Sequence, residues 1–369
     1  MRKRIPSLLI LLVLILVSCN FPIRDLGFIT HPYPTLDPAI FESRTTPTPG
    51  LLTPAPGSTS APYPTPAVDG NLNQIYAAQS GDTLRVVARH FGVAPQEITS
   101  TGTIPETGII PPGQLLVIPV NNANAQQRPL ILPDSAVINS PCAQDFDTAG
   151  FVIEAGGYLS NFSQVVAGER ISGAAVVQRA ADNQSISPRL LLAFIEYRPG
   201  WVYGNTPPPD IYHPLEMNDP YFNGLYQELS LAARMLNGGY YGWRYGSMTS
   251  MTYPDELTMR IPANLNAGSV GMMHLFTRLY PSTEWEERLL GTDGLIQLYL
   301  SMFEDPMICA AQVEPLFTEA VIAPELQLPF AEGEVWAFTA GPHYSWVEGT
   351  PLGAIDFAPN TKDARSLVS

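Results

Sequence analysis

The sequence predicts a multidomain α+β protein. The stretch from Tyr76 to Pro119 has the pattern of a small β-α-α-β unit, residues 141–329 are mostly helical, and two strand-like runs follow residue 330. The chain has 369 residues, enough for two or three domains that each bury a core.

The β-α-α-β unit is predicted from turn residues and apolar spacing. Gly81 can turn the chain, and Asp82 or Thr83 can cap the helix that follows. That helix has one apolar face at i, i+3, i+4 and i+7, formed by Leu84, Val87, Ala88 and Phe91. On the same helix we expect Arg89 and His90 to lie on the solvated face.

The rest of the unit is predicted in the same way. Pro95 stands in the first turn of a second short helix, and residues 115–119 form a closing strand that ends at a proline.

This unit resembles the LysM domain, a module that binds the N-acetylglucosamine-containing glycan of peptidoglycan or chitin. The resemblance lies in three segments, Gly81-Asp82-Thr83-Leu84, Ala88 to Val93 and Pro112 to Pro119. It implies that glycan lies between the loops 81–84 and 100–108. The implied glycan-binding residues are Gly81, Asp82, Thr83, Leu84, Ser100 and Thr101.

Two observations bear on those residues. The family usually has an Asn after the second helix, where this chain has Ser100-Thr101-Gly102-Thr103. Helix capping alone explains Asp82 and Thr83 equally well, so both readings stay open.

The first nineteen residues read as an export signal. Arg2-Lys3-Arg4 is a positive start, Leu8 to Val17 is apolar, and Leu16-Val17-Ser18-Cys19 is similar to the bacterial lipobox. The resemblance implies lipid attachment at Cys19 and a membrane-anchored lipoprotein at the cell envelope. A plain anchor or an ordinary signal peptide is the alternative, and the protein is exported in each case.

Residues 20–70 are rich in Pro and Thr and predict a disordered linker before the glycan-binding module at 71–120. The composition also limits the partners. Charged residues are 14% of the chain and sum to a net charge of −15, which argues against nucleic acid. We expect the partners to be peptidoglycan or a related glycan, bound through shaped contacts, and the membrane through the lipid.

After a linker at 121–140, residues 141–329 predict a helical domain. Its predicted helices are 172–182, 190–195, 221–236, 268–280 and 292–303, with a Gly-rich aromatic loop at 238–243. Cys142 and Cys309 are the two cysteines outside the signal, and in an exported chain we expect them to pair. No His stands beside them at ligand spacing, so they do not predict a metal site.

Two fragments of this domain resemble the lysozyme-like, lytic transglycosylase fold. They are Ser187 to Trp201 and Asn266 to Met273. Alignment places the family's catalytic acid at Arg198, and Glu196 stands two residues before it. Arginine cannot protonate a leaving oxygen, and two residues turn Glu196 about 200° away on a helix. Glu196 is therefore a weak catalytic candidate, and we expect a structural role for it.

Five aromatic residues of this domain are candidates for stacking on sugar rings, with core packing as the alternative. They are Trp201, Tyr203, Tyr240, Tyr241 and Trp243.

The segment 330–369 resembles the start of the M23 peptidases, zinc endopeptidases that cut peptidoglycan cross-bridges. The resemblance lies in Gly341-Pro342-His343 and Ala354-Ile355-Asp356-Phe357. It implies that His343 and Asp356 are zinc ligands in an incomplete antiparallel β segment. The His-x-His motif of the family is absent from the sequence. We therefore expect a truncated peptidase segment that is inactive, and we expect the chain of this sequence to hold no cofactor. A completed domain would hold zinc.

These features favour an exported, lipid-anchored protein that binds peptidoglycan through the LysM-like module and acts in cell-wall remodelling. The alternative is an M23-type zinc endopeptidase of which this chain is a truncated form. A glycan hydrolase acting through the helical domain is a third hypothesis.

Overall fold

The computed structural model describes residues 73–217, 219–318, 327–340 and 351–359, all within one compact unit. The predicted signal segment with Cys19, the linker 20–70 and His343 lie outside these ranges. Helices and small antiparallel sheets make up the described chain, which is α+β as predicted. No helix in these ranges is long and apolar enough to cross a bilayer.

The first unit is built on a two-stranded sheet. Strand β1 (Asn73–Ala77) pairs antiparallel with β2 (Leu115–Pro119), and α1 (Leu84–Phe91) lies between them in sequence. The second predicted helix is a short 3-10 turn, Pro95–Glu97. We call this unit, residues 73–119, the module.

The module's core follows the predicted apolar face. Phe91 on α1 packs edge-on to Tyr76 of β1 with ring centroids 4.9 Å apart, and Leu116 of β2 is fully buried. The helix ends where Gly92 adopts φ of 63°, a left-handed conformation that glycine tolerates without a Cβ clash.

The helical region follows the module. Its helices are α2 (Asp134–Val137), α3 (Pro141–Gln144), α4 (Thr148–Ala155), α5 (Tyr158–Asn161), α6 (Gly173–Gln184), α7 (Pro188–Tyr197), α8 (Leu225–Arg244), α9 (Ala267–Leu279), α10 (Trp285–Leu290), α11 (Leu295–Met302) and α12 (Pro306–Val313). Two small hairpins accompany them, β3 (Ser163–Val166) with β4 (Glu169–Ser172) and β5 (Ser250–Thr252) with β6 (Thr258–Arg260).

The predicted loop at 238–243 is wrong, because these residues continue α8. Its glycines serve close packing rather than a turn. A Cβ at Gly239 would lie 2.9 Å from the Val270 carbonyl oxygen of α9, and one at Gly271 would lie 3.0 Å from the Leu236 carbonyl oxygen. The two helices therefore approach each other more closely than larger residues allow.

A disulfide joins Cys142 of α3 to Cys309 of α12, with the Cα atoms 5.9 Å apart. The bridge ties together two ends of the helical region that are 167 residues apart in sequence.

The module docks on the helical region through a buried histidine. His90 is 3% exposed, and its ring stacks on Trp243 of α8 with centroids 3.5 Å apart. The prediction of a solvated face is therefore wrong for His90, while Arg89 is exposed. Arg260 donates to the His90 carbonyl oxygen at 3.0 Å, and Ala263 packs into the module core. His90 is not part of the apolar face that the local spacing predicts for α1. It is buried by packing against Trp243, which is distant in sequence.

The last described segment is a hairpin. Strand β7 (Trp336–Ala340) pairs antiparallel with β8 (Asp356–Pro359), and Ala340 stands opposite Asp356.

Candidate glycan-binding site and C-terminal hairpin

The two loops that the sequence predicts for glycan binding are neighbours. The amide of Ile110, just after loop 100–108, donates to the Asp82 carbonyl oxygen at 2.7 Å. The backbone of loop 81–84 is thereby fixed beside the end of the second loop.

Asp82 holds its own turn together from a buried position. Its carboxylate accepts from the Tyr76 hydroxyl and from the Gln79 amide, each at 2.7 Å. Burial raises the pKa of Asp82 to about 6, against the lowering effect of those two hydrogen bonds. Thr83 caps α1, since its Oγ1 accepts from the Val86 amide at 3.4 Å. Both side chains thus have structural roles.

Ser100 closes the second loop. Its hydroxyl donates to the Leu115 carbonyl oxygen at 2.7 Å and accepts from Gln114 Nε2 at 3.1 Å. Gln114 Nε2 also donates to the Thr103 carbonyl oxygen at 3.2 Å. These bonds leave residues 101–103 and 106–108 exposed, so Thr101 is the predicted side chain that faces solvent most openly.

The first loop also touches the helical region, at a residue that the sequence did not indicate. Phe317, four residues after α12 ends, accepts from the Gly81 amide at 3.0 Å and donates to Ser80 Oγ at 2.8 Å. Arg244 of α8 lies over the Phe317 ring at 4.0 Å and donates to the Ser80 carbonyl oxygen at 3.0 Å.

Arg244 also meets a buried carboxylate. Its Nη1 lies 3.6 Å from Asp134 Oδ2, and Asp134 accepts from the Gly268 amide at 2.7 Å and from Asn266 Nδ2 at 2.9 Å. Burial raises the pKa of Asp134 to about 6, and Arg244 acts in the opposite direction. Arg244 therefore links the turn at Ser80 to the start of α9.

A separate open cleft of about 1010 Å³ lies on the helical region, with Glu196, Arg198 and Tyr280 among its lining residues. Glu196 faces this cleft, so the expected rotation away from it is wrong. The last turn of α7 continues to Arg198, whose amide donates to the Phe194 carbonyl oxygen at 3.0 Å, and the open cleft is lined by Glu196, Tyr197 and Arg198 alike.

Both residues have structural partners there. Glu196 Oε2 accepts from the amides of Val202 and Tyr203 at 2.9 and 3.1 Å. Arg198 donates to the Leu215 carbonyl oxygen at 2.8 Å and to the Tyr280 hydroxyl at 2.7 Å.

The aromatic candidates are mostly core residues. Trp201, Tyr240 and Trp243 are buried, whereas Tyr203 is exposed and Tyr241 is half-buried. Core packing accounts for the three buried rings.

The hairpin bears one of the two predicted zinc ligands. Asp356 opens β8 opposite Ala340, which stands three residues before His343 in sequence. Across the described ranges, no three His, Cys, Asp or Glu side chains stand close enough to hold a metal ion.

Comparison with known proteins bears on the helical region. The family described as LasA, N-terminal domain matches residues 130–315, about half of the chain. The chain belongs to this family. The match relates it to LasA/M23-type peptidases and runs from before α2 to just after α12. Neither the curated proteins nor the solved structures gave a match.

Proposed function

We propose that this protein binds the glycan of the bacterial cell wall through the exposed residues of loops 81–84 and 100–108. We propose further that this binding supports an M23-type peptidase activity on the wall. One observation carries the proposal. The hydrogen bond from the Ile110 amide to the Asp82 carbonyl oxygen sets the two loops side by side. The membership in the LasA N-terminal domain family supports the link to wall peptidases.

The chemistry of the exposed edge suits a neutral sugar. Thr101 and Thr103 offer exposed hydroxyl groups on either side of Gly102. The net charge of −15 gives no attraction to an anionic wall, so recognition rests on hydrogen bonds and shape. Export and a lipid on Cys19 would hold the protein at the cell envelope, close to this ligand.

Sedimentation with insoluble peptidoglycan tests the proposal. The double variant Thr101→Ala/Thr103→Ala removes two exposed hydroxyls without touching the bonds that close the loop. We expect about thirtyfold weaker binding, since each of the two hydrogen bonds contributes about 1 kcal/mol and a factor of ten corresponds to about 1.4 kcal/mol. Thr258→Ala, which removes an exposed hydroxyl on β6, is the matched control and should bind as the wild type does. Equal binding by all three proteins, or no binding by the wild type, contradicts the proposal.

A second candidate function is zinc-dependent peptidase chemistry at the C-terminal hairpin. It is favoured by the C-terminal hairpin, in which Asp356 opens β8 opposite Ala340, and by the sequence, in which His343 follows Ala340 by three residues. An imidazole and a carboxylate suit zinc, as two of the three protein ligands a catalytic site needs. Bound zinc would acidify a water for attack on a peptide carbonyl.

Zinc binding to the whole chain, measured by equilibrium dialysis, tests this candidate. His343→Ala and Asp356→Ala should each weaken binding by about tenfold or more, since each removes a ligand. His31→Ala, a histidine in the predicted linker, should bind like the wild type. The candidate fails if the wild type binds no zinc or if all three variants lose it equally.

A further inference from the structure

We propose that Phe317 latches the first glycan loop, so that the wall glycan and the helical region compete for the same turn. The latch consists of Ser80, Gly81, Arg244 and Phe317. The proposal rests on the glycan recognition proposed above and adds a regulatory contact to that site.

The backbone of Phe317 occupies donors that a sugar would use. Its carbonyl oxygen accepts from the Gly81 amide at 3.0 Å and from Ser80 Oγ at 3.3 Å, while its own amide donates to Ser80 Oγ at 2.8 Å. An acetamido carbonyl of a glycan is an acceptor of the same type as a peptide carbonyl. With the latch closed, the exposed second loop is open to glycan and the first loop is not.

The ring of Phe317 is held by a cation. Arg244 lies 4.0 Å from the ring centroid, and the same guanidinium donates to the Ser80 carbonyl oxygen at 3.0 Å. Its position is fixed from behind by Asp134, 3.6 Å away, and by Tyr240, whose ring centroid is 5.8 Å from the guanidinium carbon. Arg244 is thus held within the helical region, whereas Phe317 packs half-buried at the edge of the core of that region.

Phe317 has the features of a releasable contact. It is half-buried and lies outside any helix, and its bonds to the module are the few described above. In sequence it stands between α12 and β7, the strand that precedes the predicted zinc ligands. Glycan binding at the turn is therefore coupled to the release of Phe317, and by reciprocity the release of Phe317 raises glycan affinity.

The test compares wild type and Phe317→Ala, using the soluble N-acetylglucosamine tetramer as the probe and calorimetry to measure its affinity. Removing the ring removes the contact with Arg244, so the open state becomes more populated and apparent affinity rises in proportion. We expect the variant to bind about five- to tenfold more tightly, the range of an exposed to half-desolvated cation-π contact. Tyr221→Ala, which removes an exposed ring outside the latch, should leave affinity unchanged.

A second measurement needs no substitution. Saturating tetramer should speed hydrogen exchange at the Phe317 amide of the wild-type protein, because its acceptor, Ser80 Oγ, is taken by the ligand. If tetramer binding slows the hydrogen exchange of the Phe317 amide or leaves it unchanged, the latch is refuted. This result does not depend on whether Phe317→Ala folds.

The outcomes separate the two proposals. Tighter binding by Phe317→Ala with faster exchange in the wild type supports the latch. Equal affinity of the two proteins refutes the latch and leaves glycan recognition standing. Absence of binding by both proteins refutes the glycan recognition and the latch together.

Discussion

Acidification should weaken the attachment of the module to the helical region through His90. Burial lowers the pKa of His90 from 6.5 to about 3, and its Nε2 lies 2.9 Å from the Trp243 carbonyl oxygen. A base with a depressed folded pKa stabilises the protein above its unfolded pKa, and that contribution is lost as pH falls below 6.5.

The size of the effect follows from these two pKa values. At pH 5 the unfolded chain binds a proton that the folded protein excludes, which favours unfolding by about 2 kcal/mol. Asp82 and Asp134 act in the opposite direction, because burial raises the pKa of each to about 6. Because each of these carboxylates takes up a proton in the folded state, each raises the free energy of unfolding by about 1 kcal/mol between pH 7 and pH 5. The total stability of the wild type therefore changes little, and the His90 term has to be measured as a difference.

His90→Phe isolates that term, because phenylalanine keeps an aromatic ring on Trp243 and removes the titration. Denaturant unfolding at pH 7.5 and pH 5 gives the free energy of unfolding of both proteins. We expect the wild type to lose about 2 kcal/mol relative to the variant between these pH values. A constant difference, to within about 0.5 kcal/mol, would show that His90 is hydrated in the folded protein and would refute the docking described above.

Three further predictions concern stability. Asp82→Asn imitates the protonated carboxyl and removes its titration. Between pH 7 and pH 5, urea titrations should show that the free energy of unfolding rises by about 1 kcal/mol less in the variant than in the wild type. An equal change in both proteins contradicts a raised pKa of Asp82. Cys142→Ser/Cys309→Ser opens a loop of 167 residues and should lower the unfolding free energy by roughly 5 kcal/mol, as reductant should in the wild type; a loss near zero contradicts the bridge. Arg198→Met removes the bond to the Leu215 carbonyl oxygen and should cost about 2 kcal/mol, with faster amide exchange around Leu215; unchanged exchange contradicts this role.

Local patterns predicted the module well. The apolar spacing from Leu84 to Phe91 gives the observed helix, Gly92 ends it, and the strand ending at Pro119 forms as expected. These features depend on residues that are close in sequence, so they can be predicted from one amino-acid sequence.

Contacts between distant residues were not predictable in the same way. The local sequence of the Gly-rich segment 238–243 predicts a loop, but in the structure the segment is helical and packs against α9. Phe317 meets Ser80 across 237 residues of sequence, and no local pattern indicates that pair. The cap at Thr83 was predictable from the same sequence because its partner is three residues away.

Amide NMR of the whole protein during titration with the N-acetylglucosamine tetramer tests the central claim most directly. We expect the largest shifts in loops 81–84 and 100–108, together with Phe317. Shifts confined to the cleft beside Arg198, or no shifts at all, would contradict glycan recognition by the module.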